Sequence, residues 1–176
     1  QGDLREALKY YQQDLAIKQA LSQQDQRNNT LLGDVALALM FTAKMHGQLG
    51  DIDQAAVDLQ RAADIYGQLM QFDPTQIATT LPRQGLAYRG LASFQLDSGR
   101  VPEGAAAAEK ALTAFKQAKA ADASNAYVLL RYWESRLLIA RAALLKGAFA
   151  DARSAALQVE AALAGIDRGG VGKKSG

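Results

Sequence analysis

Apolar residues recur along this chain in steps of three and four. Ala55, Leu59, Ala62, Tyr66 and Leu69 advance by 4, 3, 4 and 3, and Trp133, Leu137, Ala140 and Leu144 keep the same rhythm. That spacing puts one side chain per turn on a single helical face. No stretch alternates apolar and polar residues as a half-buried strand would. The pattern predicts seven helices, near 3–24, 29–49, 51–71, 76–98, 101–120, 124–146 and 148–165.

The punctuation between these helices is periodic. "GDLREA", "GDIDQA", "GRVPEG" and "GAFADA" begin at Gly2, Gly50, Gly99 and Gly147, 48 or 49 residues apart. Five residues after each glycine stands a small residue: Ala7, Ala55, Gly104 or Ala152. Asp25, Asp73 and Asp122 repeat with the same period, each after a long apolar-periodic run. Two independent landmarks with one period identify an internal repeat.

Each mark has a physical reading. A glycine adopts the left-handed conformation that ends a helix at little cost. Asp51 then caps the next helix and Gln54 completes a capping box, an arrangement that Asp3 and Glu6 repeat. Glu103 and Asp151 place negative charge in a first helical turn, where the dipole favours it. The small residue that follows lets two antiparallel helices approach closely. Each mark is thus read as the hinge of a helical hairpin. Gly33 and Pro82 occupy equivalent positions, 49 apart, early in the first helix of their hairpins. Pro82 predicts a kink or a late helix start, with Thr80 as the cap before it.

These residues resemble the tetratricopeptide repeat family. Ala43, Ala92 and Ala140 match its small site seven residues before the turn glycine, and Leu39, Tyr88 and Arg136 stand four earlier. Tyr11, Leu59, Ala108 and Ala156 follow the opening small residue by four, and Pro74 follows the second hairpin. Arg136, Ala108 and Ala156 depart from the family pattern, as does the period, which is 34 residues in that family. The longer period is similar to bacterial repeats of the kinesin-light-chain type, whose second helix "ALKYYQQDLAIKQAL" (7–21) resembles. The resemblance implies an all-α, right-handed α-solenoid over 1–166: a half repeat at 1–27 and repeats at 28–74, 75–122 and 123–166; the glycine-rich residues 167–176 are expected to form a flexible tail.

Composition narrows the function. Cysteine is absent, which excludes disulfides and thiolate chemistry. The longest clean apolar run, "VALALMF" (35–41), falls far short of the ~20 residues of a membrane span, and no signal peptide is visible. The chain therefore reads as cytoplasmic and not membrane-bound. It begins at Gln1, beside a helix-start signal, and reads as a piece of a longer protein. Asp167, Arg168, Lys173 and Lys174 account for the net charge of +2, which leaves residues 1–166 neutral and argues against nucleic acid as a partner.

No constellation points to catalysis, a metal or a cofactor. His46 is the sole histidine, and a packed position is expected for it. "GGVGKKSG" (169–176) lacks the spacing of a phosphate loop. Trp133, beside Leu137 and Ala140, is expected to fill a joint between hairpins. The resemblance does imply a site, since the family's first helices line a concave groove. Leu37, Met40, Phe41, Lys44 and Gln48 would come from the first complete hairpin. The next would supply Leu86, Arg89, Ser93 and Asp97, and the last Glu134, Leu138, Arg141 and Leu145. An apolar floor with cations at Lys44, Arg89 and Arg141 suits a peptide or partner protein of acidic character.

The function expected is a protein–protein interaction scaffold within a larger bacterial signalling or regulatory protein, such as a Ser/Thr kinase-like one. The alternative is a structural spacer or oligomerisation module; an enzyme or an RNA-binding solenoid ranks below both. Neither terminal helix has a polar cap, so self-association or fraying at the ends is expected.

Overall fold

The computed structural model describes residues 2–170, and the helices lie where the apolar rhythm put them. They are α1 (Gly2–Gln24), α2 (Asn29–Gln48), α3 (Ile52–Phe72), α4 (Ile77–Asp97), α5 (Val101–Ala121), α6 (Ala126–Leu145) and α7 (Phe149–Gly170), with a 3-10 turn at Pro74–Gln76. There is no strand among the described residues. Each helix packs on the next in the chain, and α4 also touches α6. The fold is an all-α array of the solenoid kind.

The three internal hinges share one geometry. Gly50, Gly99 and Gly147 have φ of 86°, 77° and 78°. After each, the next residue's N–H returns to the carbonyl five before it: Asp51 to His46 at 2.9 Å, Arg100 to Gln95 at 2.8 Å, Ala148 to Ala143 at 2.9 Å. The glycine N–H bonds three residues back, to Gly47, Leu96 and Leu144. This is the paired bond of a Schellman ending, which satisfies carbonyls the helix leaves free. Past the hinge the small residue matters. A Cβ at Gly104 would lie 2.7 Å from Leu96 Cγ and 3.0 Å from its backbone nitrogen.

The joints between hairpins are also repeated. Asp73 accepts the N–H and hydroxyl of Thr75 at 3.0 and 2.5 Å, and Asp122 those of Ser124 at 3.1 and 2.7 Å. Those bonds hold both carboxyls below the usual aspartate range. Asn28 and Asn125, each three residues beyond its joint aspartate, cap α2 and α6.

Several expectations are corrected. Gly2 and Asp3 are the first residues of α1, so no hinge forms there among the described residues. The Asp51 capping box is half made: Asp51 accepts from the Gln54 N–H at 3.3 Å, but the Gln54 side chain donates to Asp58 at 2.9 Å instead. Asp58 lies one turn ahead on the same face and is buried, so it competes for that amide. Helix α4 starts at Ile77, not near Pro82, because the Asp73 turn feeds directly into it. Pro82 sits inside the helix, and the carbonyl it deprives belongs to exposed Ala78. Thr80 is buried at 6% exposure and caps nothing. Helix α7 continues to Gly170, into the segment expected to be a flexible tail; residues 171–176 lie outside the described residues.

The core is built largely of alanine. Ala36, Ala43, Ala55, Ala62, Ala87 and Ala108 are fully buried, and such small side chains let helix axes approach. Leu39, Tyr66 and Phe115 fill the larger spaces, each contributing about 1.5–3 kcal/mol through burial. Phe115 packs against Gly85, where a Cβ would lie 2.8 Å from the ring. Burial falls off toward the ends. Helix α1 has no buried residue, and Tyr10 and Ile17 are 62% and 61% exposed. Helix α7 contributes Ala152 and Val159 to the core.

Candidate binding groove

The candidate residues lie on α2, α4 and α6, the first helices of the hairpins. Met40 and Leu138 are half-buried against the main core, and Leu86 against the smaller cluster around Phe115. They pack the joints more than they pave a free floor. Phe41 is exposed but stacks on Tyr11 of α1, ring centres 5.5 Å apart. Leu37 is half-buried, while Lys44, Gln48 and Leu145 are exposed.

The charges of the groove largely meet one another. Arg89 of α4 pairs with Glu134 of α6 at 3.1 Å. Glu134 is also gripped by both its oxygens, at 2.9 and 2.7 Å, by Arg131 one turn before it. That grip raises the Arg131 guanidinium above its ordinary value. Arg141 of α6 pairs with Asp97 at the end of α4 at 2.6 Å, and Ser93 donates to the other Asp97 oxygen at 3.5 Å. Of the three cations expected to greet a partner, Arg89 and Arg141 are thus engaged within the groove. Lys44 makes no ion pair among the described residues. Each pair is partly exposed and contributes about 0–1 kcal/mol. Their effect is to tie α4 to α6 and to fix side chains a ligand would otherwise have to order.

His46 is buried, as expected, at the end of α2. Its Nδ1 is 3.2 Å from an Asp51 oxygen and its Nε2 4.0 Å from one of Asp58. Burial pushes the Asp58 carboxyl up, against the Gln54 hydrogen bond and the charge of His46. This cluster pins the first hinge. Trp133 stands edge-on to Tyr132, ring centres 4.9 Å apart, with the Arg136 guanidinium 5.9 Å over its own ring.

One concavity was not foreseen. A cavity of about 360 Å³ opens where α2 and α4 begin and α3 ends. Asp34, Tyr66, Thr80 and Arg83 line it, with Gly33 and Leu69. The i, i+3 pair Arg131 and Glu134 was readable in the sequence, whereas this cavity depends on how three helix ends converge. No protein-family model, curated protein or solved structure matches the chain.

Proposed function

We propose that this chain is a protein–protein interaction scaffold, a segment of a larger bacterial signalling or regulatory protein of the cytoplasm, and that α2, α4 and α6 offer their shared face to an extended or helical peptide. The observation that carries this reading is the contact between alternate helices. Arg89–Glu134 and Arg141–Asp97 bridge α4 and α6, and a Cβ at Gly47 of α2 would clash with the Phe94 ring of α4. These contacts set α2 against α4 and α4 against α6, which supports a surface shared by three successive hairpins. The tetratricopeptide-like hinges and small sites support the same assignment. Leu145 is exposed and Lys44 makes no ion pair among the described residues, and a partner with an apolar residue and an acidic one suits them.

The spacer reading draws on the same pairs, since a groove that satisfies its own charges is also a stiff strut. Peptide display against the whole chain separates the two. A scaffold enriches peptides whose binding, followed by fluorescence anisotropy, weakens at least several-fold in Lys44→Glu and Leu145→Asp, both exposed changes that leave helicity intact. A display that enriches nothing, or peptides indifferent to both changes, refutes the scaffold and leaves the strut.

A further inference from the structure

The cavity at the start of α2 and α4 holds polar groups that the fold does not use. Tyr66 is 1% exposed, and its hydroxyl has no hydrogen-bond partner. A buried, unpaired hydroxyl costs folding free energy that a phenylalanine would not. Thr80 is 6% exposed, lines the same cavity and makes no side-chain hydrogen bond among the described residues. Of the other polar neighbours, Asp73 holds Thr75 and the Thr79 hydroxyl donates to the Gln76 carbonyl at 3.0 Å, while Asn29 and Thr30 stand on the α2 side.

Two charges complete the site, and Arg83 approaches the Tyr66 hydroxyl itself. Asp34 stands on the α2 wall and Arg83 on the α4 wall, both close enough to bear on the charge of the Tyr66 hydroxyl. They form no ion pair with each other or with any other described residue. Burial pushes the Tyr66 phenol above its ordinary value, so at neutral pH it is protonated and donates. The cavity thus offers hydroxyl and guanidinium donors toward one wall and a carboxylate on the other. Its volume is that of a small-metabolite site.

We propose that this cavity binds a free amino acid. The ligand carboxylate takes the Tyr66 and Thr80 hydroxyls and the Arg83 guanidinium, and its ammonium faces Asp34. Asp73, a second carboxylate of the lining, is held by Thr75, so complementarity is to a ligand carrying both charges: a lone anion would meet Asp34 uncompensated and a lone cation would leave Arg83 unanswered. Gly33 and Leu69 leave an apolar flank for the ligand side chain, which sets which amino acid fits. The site shares no lining residue with the candidate groove and does not depend on the scaffold reading.

The test is a thermal-shift screen of the whole chain against each proteinogenic amino acid, with acetate and methylamine as single-charge controls, followed by calorimetry on any that respond. At least one amino acid should raise the melting temperature while neither control does. Tyr66→Phe should leave the ligand-free melting temperature unchanged or higher, and weaken binding about ten-fold or more. Arg83→Gln and Asp34→Asn, changes on less buried walls, should each weaken it by at least as much. The proposal is overturned if no amino acid binds, if acetate binds as tightly as the best amino acid, or if Arg83→Gln and Asp34→Asn leave affinity unchanged.

Discussion

Gly50, Gly99 and Gly147 constitute three copies of one experiment. Each has φ near +80° and nothing within 4 Å of the position a Cβ would take. Alanine at any of them therefore meets no steric neighbour, and its whole cost is the left-handed backbone, about 1–2 kcal/mol. Alanine also restricts the unfolded chain, which offsets about 0.4–1 kcal/mol of this. The net loss should be about 1 kcal/mol per site, or roughly 2–4 °C in melting temperature for a chain of this size. Asparagine tolerates the left-handed region better, so Gly→Asn should cost less than Gly→Ala at every hinge. Valine, β-branched, should cost the most. Urea denaturation followed by circular dichroism, with all nine variants measured side by side, gives the ranking. The reasoning fails if alanine is as good as glycine at all three hinges, or if asparagine is no better than alanine. A large spread between hinges would mean that their surroundings, not their shared backbone geometry, set the cost.

Gly85 fails for the opposite reason. Gly85→Ala should destabilise by about 1–3 kcal/mol through its clash with Phe115, and a double-mutant cycle with Phe115→Leu should show coupling above ~0.5 kcal/mol. Asp73 and Asp122 have lowered pKa values, so their stabilising contribution is present above the ordinary 3.8 and lost as pH falls through the folded value. Wild type and Asp73→Asn should accordingly converge in stability on acidification. Asp58 is raised, so its contribution is fully present below 3.8 and lost as pH rises through its folded value. Asp58→Asn should gain on wild type over that rise, and carboxyl NMR titrations should place Asp58 above 3.8 and the joint aspartates below it. Hydrogen exchange should be fastest in α1 and after residue 150 and slowest across 35–71 and 84–120, where the buried alanines concentrate. Equal protection throughout would show the end helices to be covered.

The helices and hinges were legible because their signals are local. Gly50, Gly99 and Gly147 each close a bond pattern spanning six residues, and a 48-residue period exposes such marks by repetition. Gln54 was misjudged because two local options lay within its reach, the Asp51 backbone and the Asp58 side chain, and burial of Asp58 chose between them. Pro82 misled because the Asp73 turn, nine residues earlier, had already set the helix start. The candidate groove residues lie on α2, α4 and α6, but their pairing was not visible. Asp97 and Arg141 are 44 residues apart, and only the offset between successive hairpins brings them to 2.6 Å. Tyr66 was recognisable as a core residue. That its ring would fit while its hydroxyl ended without a partner is a matter of where three helix ends meet.

The alanine interior gives this protein a lopsided mutational spectrum. Single-base changes in an alanine codon lead to valine, threonine, serine, proline, glycine, aspartate or glutamate, and of these only glycine is smaller. Positions such as Ala36, Ala62 and Ala108, with no exposed surface, cannot be truncated into large cavities. Their accessible errors are errors of crowding, about 1–3 kcal/mol for an added methyl or two, or a buried charge. One exit is mild. A hydroxyl on a buried helical face can bond the carbonyl four residues back, as Thr42 does with Ala38 at 2.9 Å and Ser135 with Arg131 at 2.8 Å. Sequence drift in this interior should therefore run through serine and threonine, along helices whose own carbonyls absorb the newcomer.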